Sequence, residues 1–109
     1  MDDFDITGLD EVIHGRLRLG VMAYLSGMGA GSAEFNELKA RLQASDGNLS
    51  VQLRKLEEAG YVAIEKTFVG RKPLTRVKLT RPGRQAFASY LEAIGRLVDG
   101  AAPRIGDPD

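Results

Sequence analysis

Between Ser45 and Val62 the chain reads SDGNLSVQLRKLEEAGYV, and the side chains in it that could do chemistry are hydrogen-bonding and cationic rather than nucleophilic. At 100° per residue Leu49, Leu53 and Leu56 fall within about 60° of one another, which gives a helix here a buried seam. Gly47, Val51, Arg54, Lys55 and Glu58 then point away from the seam, Asn48 and Ser50 flank its start, and Gln52 lies beside it. Asn and Arg can form paired hydrogen bonds to adenine or guanine, and an apolar side chain can meet a thymine methyl. A charged helix face is most often simply solvated. An exposed Val51 among polar neighbours is not what solvation alone requires, and Asn48, Ser50, Val51, Gln52, Arg54 and Lys55 become candidates for contact with DNA bases. Ser45 and the unpaired amides that open the helix could hold a phosphate; an ordinary N-cap at Ser45 is compatible with that.

Other chemistries find no support. The chain has no cysteine and one histidine, His14, so disulfides and thiolate catalysis are excluded and a metal site is poorly provided for. His14 falls in a segment expected to be extensively buried, where a satisfied core or interface residue is favoured over a pH sensor. Glu57 and Glu58 are adjacent, so on a helix their side chains diverge and cannot share a general acid/base role. Met22 and Met28 read as packing. No nucleophile with a base and no glycine-rich phosphate loop is present, and neither an enzyme nor a cofactor is expected.

Fifteen basic and fifteen acidic residues give a net charge of zero, but the distribution is uneven. Residues 1 to 15 carry Asp2, Asp3, Asp5, Asp10 and Glu11 and no Lys or Arg, whereas nine basic residues lie between Asp46 and Arg84 against four acidic ones. A basic cluster inside a folded unit is an electrostatic footprint suited to phosphate. No apolar run approaches the roughly 20 residues that span a bilayer, and no signal-peptide pattern opens the chain. A soluble cytoplasmic protein without a membrane partner is the expectation.

These side chains must be held by a scaffold, and 109 residues make one domain of modest core. Residues 1–8 are expected to be a flexible acidic N-terminus, 9–98 the folded domain, and 99–109, rich in Asp, Gly and Pro, a flexible tail. A first helix is predicted over about Asp10 to Ser26, apolar on most sides. Ser32 is a candidate N-cap for a second helix, AEFNELKARL. The Ser45 helix follows after a very short connection, with Gly60 as a left-handed stop. YVAIEKTFV and LTRVKLT alternate as strands around a GRKP turn, a hairpin with a basic tip. Lys66, Arg71, Lys72, Arg76 and Lys78 would make it an electropositive ribbon for phosphate or a narrow minor groove. Thr80 caps a last helix with Pro82 in its first turn.

Three helices, the second and third tightly joined, and then a hairpin is the order of a winged helix-turn-helix: an α+β fold, mostly α, with a two-stranded wing and a C-terminal dimerisation helix. In such a unit the third helix enters the major groove and the wing lies on the backbone or minor groove. The broad apolar stripes of the first and last helices are hard to bury in one small chain, and a symmetric dimer would hide both. Ile13, Leu17, Tyr24, Phe87, Tyr90, Leu91, Ile94 and Leu97 are the expected interface. Two partners are thus expected, double-stranded DNA with a pseudo-palindromic site and a second copy of the chain. A small-molecule effector, if one exists, would sit between the copies. A winged-helix module whose basic wing meets an acidic protein is the alternative.

The segments VIHGRLRLGVMAYL, FNELKARLQASDGNLSVQLRKLEEAGYV, FVGRKPLTRVKLT and GRQAFASYL resemble the small winged-helix regulators related to the multiple antibiotic resistance (MarR) type, in particular the short group reading DGNLS..L..LE.AGY. The likeness runs from about Leu9 to Leu97. It implies a dimeric bacterial transcription factor whose terminal helices form the dimer interface. The chain departs from that pattern at Gln52, where a basic residue or His is expected, and at Gly15, where a Pro is common.

Overall fold

The computed structural model describes residues 4–27 and 30–101. Met28, the first three residues and the tail beyond Ala101 lie outside them. The elements are α1 (Arg16–Ser26), β1 (Ser32–Glu34), α2 (Phe35–Leu42), α3 (Asp46–Glu58), β2 (Val62–Val69), β3 (Lys72–Leu79) and α4 (Arg81–Ala101). The strands form one antiparallel sheet in the order β1-β3-β2. The winged helix-turn-helix fold is therefore present with four helices, and its sheet has three strands rather than two.

The helix starts follow side-chain capping. Ser45 Oγ accepts the Asn48 amide of α3, and Thr80 Oγ1 accepts the Gly83 amide of α4, each satisfying a donor the first turn leaves open. Gly60 ends α3 at φ +82°, the left-handed conformation that glycine adopts without a Cβ penalty. Gly70, at φ +64°, closes the two-residue loop between Val69 and Lys72. Pro73 is admitted to the central strand because β1 pairs only with Arg76 to Lys78, leaving that stretch of β3 flanked by β2 alone.

Two expectations fail at the front of the chain. The first helix begins at Arg16, not Asp10. Asp10 Oδ1 accepts the amides of Val12 and Ile13 at 2.8 and 3.1 Å, a local turn that competes with helix, and Gly15 is extended at φ −134°, ψ 137°. Ser32 is not an N-cap. It opens β1 opposite Lys78, and α2 is instead entered through Glu34. At the other end α4 continues to Ala101, beyond the Val98 that closes its apolar stripe.

The core joins Ile13, Val21, Met22 and Leu25 to Leu38, to the α3 seam, to Val62 and Val77 of the sheet, and to Phe87 and Tyr90 of α4. α3 is thereby seated on α1, α2 and the sheet. Gly83 is buried against the chain at Tyr61, where an added Cβ would stand 2.8 Å from the carbonyl carbon. α4 meets the wing root there, backbone to backbone.

Candidate nucleic-acid interface

The sheet and the seam decide which side chains reach solvent together. Leu49, Leu53 and Leu56 are buried, at 0, 2 and 0% exposure, and the opposite face of α3 presents Asn48, Ser50, Val51, Arg54 and Lys55, all exposed. Val51 is 47% exposed, an apolar side chain left in water among polar ones. Asp46 opens the helix beside its positive end and pairs with Lys39 Nζ of α2 at 2.8 Å. That pair is largely exposed and adds little stability. Gln52 is not free. Its Oε1 accepts from Arg18 Nη1 and its Nε2 donates to Asn48 Oδ1 at 3.2 Å.

The wing does not carry one continuous basic ribbon. Alternation along paired strands puts Lys66 on the face of Val62, Ile64, Val77 and Thr75, turned toward α3. There it lines a groove with Ser50 and Arg54. Arg76 and Lys78 emerge on the other face, each against a carboxylate: Arg76 Nη2 lies 3.6 Å from Glu34 and Lys78 Nζ 2.8 Å from Glu65. Arg76 Nη1 also donates to Ser32 Oγ at 3.2 Å. By contrast Arg54, Lys55, Lys66, Arg71 and Lys72 make no hydrogen bond or ion pair among the described residues. These five cations lie on α3, the α3-facing side of the wing and the hairpin tip.

Two features were missed in the sequence. The end of β2 exposes Phe68 and Val69, at 68 and 65%, beside the basic tip. Arg18, from α1, reaches the surface of α3 through Gln52. The alternation of YVAIEKTFV could have flagged the first; no local signal marks the second, because the two partners are 34 positions apart.

The residues expected between copies fare unequally. Ile13, Phe87 and Tyr90 are covered within the chain, at 0, 8 and 2% exposure. Ile13 is a core residue of the single chain, because the turn before α1 tucks it under the body. Leu17, Tyr24, Ile94 and Leu97 are half-buried, and Tyr24 donates to Glu37 of α2. Leu91 is exposed, and so is Val98 about two turns further along α4. His14 precedes α1 and is exposed rather than buried. Its Nδ1 is 2.6 Å from Tyr90 Oη, in a hydrogen bond.

Among the described residues no three His, Cys, Asp or Glu side chains gather to hold a metal, and no helix is long and apolar enough to cross a membrane. A family model described as a winged helix DNA-binding domain matches residues 17–98. The chain belongs to this winged-helix family. It is 37% identical over 87 residues, 80% of this chain and 92% of the relative, to an uncharacterised protein of Methanocaldococcus jannaschii. Among solved structures, the winged-helix chain superposes on a transcriptional regulator homologue of Pyrococcus horikoshii with a TM-score of 0.78 and 28% identity, covering 86% of this chain and 91% of that one. AbfR of Staphylococcus epidermidis, solved bound to DNA, aligns at a TM-score of 0.61 and 26% identity over 72% of this chain and 55% of AbfR. A MarR-like regulator of Thermotoga maritima aligns at 0.51 and 25%, over 76% and 58% of the two chains. The resemblance to MarR-type regulators stands, and archaeal relatives make the family wider than the bacterial group it suggested.

Proposed function

We propose that this protein is a sequence-specific, double-stranded DNA-binding transcriptional regulator that acts as a homodimer. α3 enters the major groove, and the wing tip lies on the backbone or in the minor groove. The observation that carries the reading is the outer face of α3, where Asn48, Ser50, Val51, Arg54 and Lys55 are exposed together on a helix fixed by three buried leucines. A rigid element presenting donors, cations and one apolar side chain matches the pattern of base edges in a major groove. The free cations Lys66, Arg71 and Lys72 continue that surface toward phosphate.

The exposed Leu91 and Val98 on α4 support pairing of two copies. A symmetric pair would set two α3 helices about 34 Å apart, or at a multiple, on a pseudo-palindromic site. The test is selection of bound fragments from genomic DNA, followed by titration of the selected duplex and a scrambled one at several salt concentrations. A strong preference for the selected duplex, with affinity falling as salt rises, is expected. Equal affinity for both sinks the reading and leaves the alternative of a module that meets an acidic protein.

A further inference from the structure

Arg18, Gln52 and Asn48 form a chain of hydrogen bonds whose direction is forced. Arginine has only donors, so the atom of Gln52 that meets Arg18 Nη1 must be its carbonyl oxygen. The other end of that amide is then a donor, and the atom of Asn48 that meets it, at 3.2 Å, must be Oδ1. Asn48 is exposed, and both N–H groups of its Nδ2 are left unused among the described residues. Arg18 is itself pinned, because its Nε donates to the Val12 carbonyl. Its guanidinium also fills the space over Gly15, where an added Cβ would lie 2.5 Å from Arg18 Cζ.

We propose that the Gly15–Arg18–Gln52 unit fixes Asn48 as a donor-only reader and so makes it select guanine on the contacted strand. The inference rests on the reading of α3 as the base-contacting helix. A free asparagine recognises adenine by pairing Nδ2 with N7 and Oδ1 with the N6 amino group. Here Oδ1 is already engaged by Gln52 Nε2, so the adenine contact loses its second bond. Guanine offers two adjacent acceptors, N7 and O6, to which the unused Nδ2 group can donate. Cytosine presents a donor and is opposed. Arg18 touches no base in this account; it is a positioning residue that acts on the polarity of an amide.

Binding-site selection from a randomised duplex library tests this with wild type, Asn48→Ala, Gln52→Glu and Gly15→Ala, each checked for fold by thermal melting. Asn48→Ala identifies the base position concerned by abolishing its preference. At that position wild type is expected to favour guanine by roughly tenfold or more. In Gln52→Glu one carboxylate oxygen still meets Arg18 and the other now accepts, so Asn48 must turn Nδ2 inward. Its exposed Oδ1 would then shift the preference to a donor-bearing base, adenine or cytosine. Gly15→Ala displaces the guanidinium and should admit adenine alongside guanine. If Gln52→Glu and Gly15→Ala select the wild-type base, the relay does not set specificity and the inference falls alone. It falls also if Asn48→Ala lowers binding to every sequence without changing the motif, as a phosphate contact would. A wild-type protein that selects no motif removes the inference and the functional reading together.

Discussion

Across 51 positions of sequence, the hydroxyl of Tyr61 donates to Oδ2 of Asp10. The same carboxylate holds the turn before α1 through Oδ1, so one aspartate ties the entry of the helical body to the root of the wing. The bond to this carboxylate, together with burial, pushes the Tyr61 phenol up to about 12. Folding then holds the phenolic proton more tightly than the unfolded chain does. That contribution is complete below pH 10 and is lost as pH rises through about 12. Burial raises Tyr90 and the bond to Glu37 raises Tyr24 in the same direction. Urea unfolding between pH 8 and 12 should show stability falling above pH 10, and Tyr61→Phe should flatten the fall by removing its largest contributor. An unchanged slope in that variant contradicts the assignment.

Arg54 and Arg71 should fail in different ways. Arg54→Ala removes a side chain from the α3 face and is expected to cost about 1 to 3 kcal/mol of discrimination between selected and scrambled duplex. Arg71→Ala, at the hairpin tip, should weaken both duplexes alike and reduce the salt slope by about 1. Affinities at four or five salt concentrations separate the two patterns.

Leu53 and Val51 are two residues apart on α3 and face opposite ways. Leu53→Ala should destabilise the fold by about 2 to 5 kcal/mol through loss of buried contacts and the cavity left behind. Val51→Ala should stay within about 0.5 kcal/mol. Chemical denaturation reads both, and a large loss at Val51 would mean that its side chain packs.

Gly83→Ala is expected to be unusually costly for a single methyl. The new carbon would overlap the Tyr61 carbonyl, and backbone cannot swing aside as a side chain can. A loss above the roughly 0.5 to 3 kcal/mol of ordinary substitutions is expected, seen as a lowered melting temperature.

Association should depend on α4. Leu91→Asp combined with Val98→Asp charges its exposed apolar edge and should leave a folded monomer by sedimentation equilibrium and circular dichroism. Ile13→Asp should unfold the chain instead, because it places a carboxylate in the core. A double variant that sediments like wild type places the interface elsewhere.

What could be read in advance depended on whether a feature is local. The α3 seam repeats at helical spacing, and the stop at Gly60 and the cap at Thr80 are set by their neighbours, so all were legible. β1 was not, because three residues reading Ser-Ala-Glu have no strand character apart from β3, which holds them. The start of α1 was obscured by apolar Val12 and Ile13, which continue the helical pattern while Asp10 turns the backbone another way. Charges were countable but their compensation was not. That Glu65 reaches Lys78 and Glu34 reaches Arg76, while Lys66 has no such partner, follows from strand register. The candidate α3 face was visible from one stretch of sequence, but the grip of Arg18 on Gln52 exists only after folding.

The splice at Glu34 has a mechanical consequence. The residue that ends β1 also admits the chain to α2, and β1 is bonded to β3 of the hairpin, so no slack loop separates wing from helices. A tilt of the hairpin about its root is geared to α2, and through the short turn at Gln43 to Ser45 it reaches α3. On the proposed reading, a contact made by the wing would therefore bear on the angle at which the neighbouring helix is offered, much as a handle fixed to a key decides how the blade meets the lock.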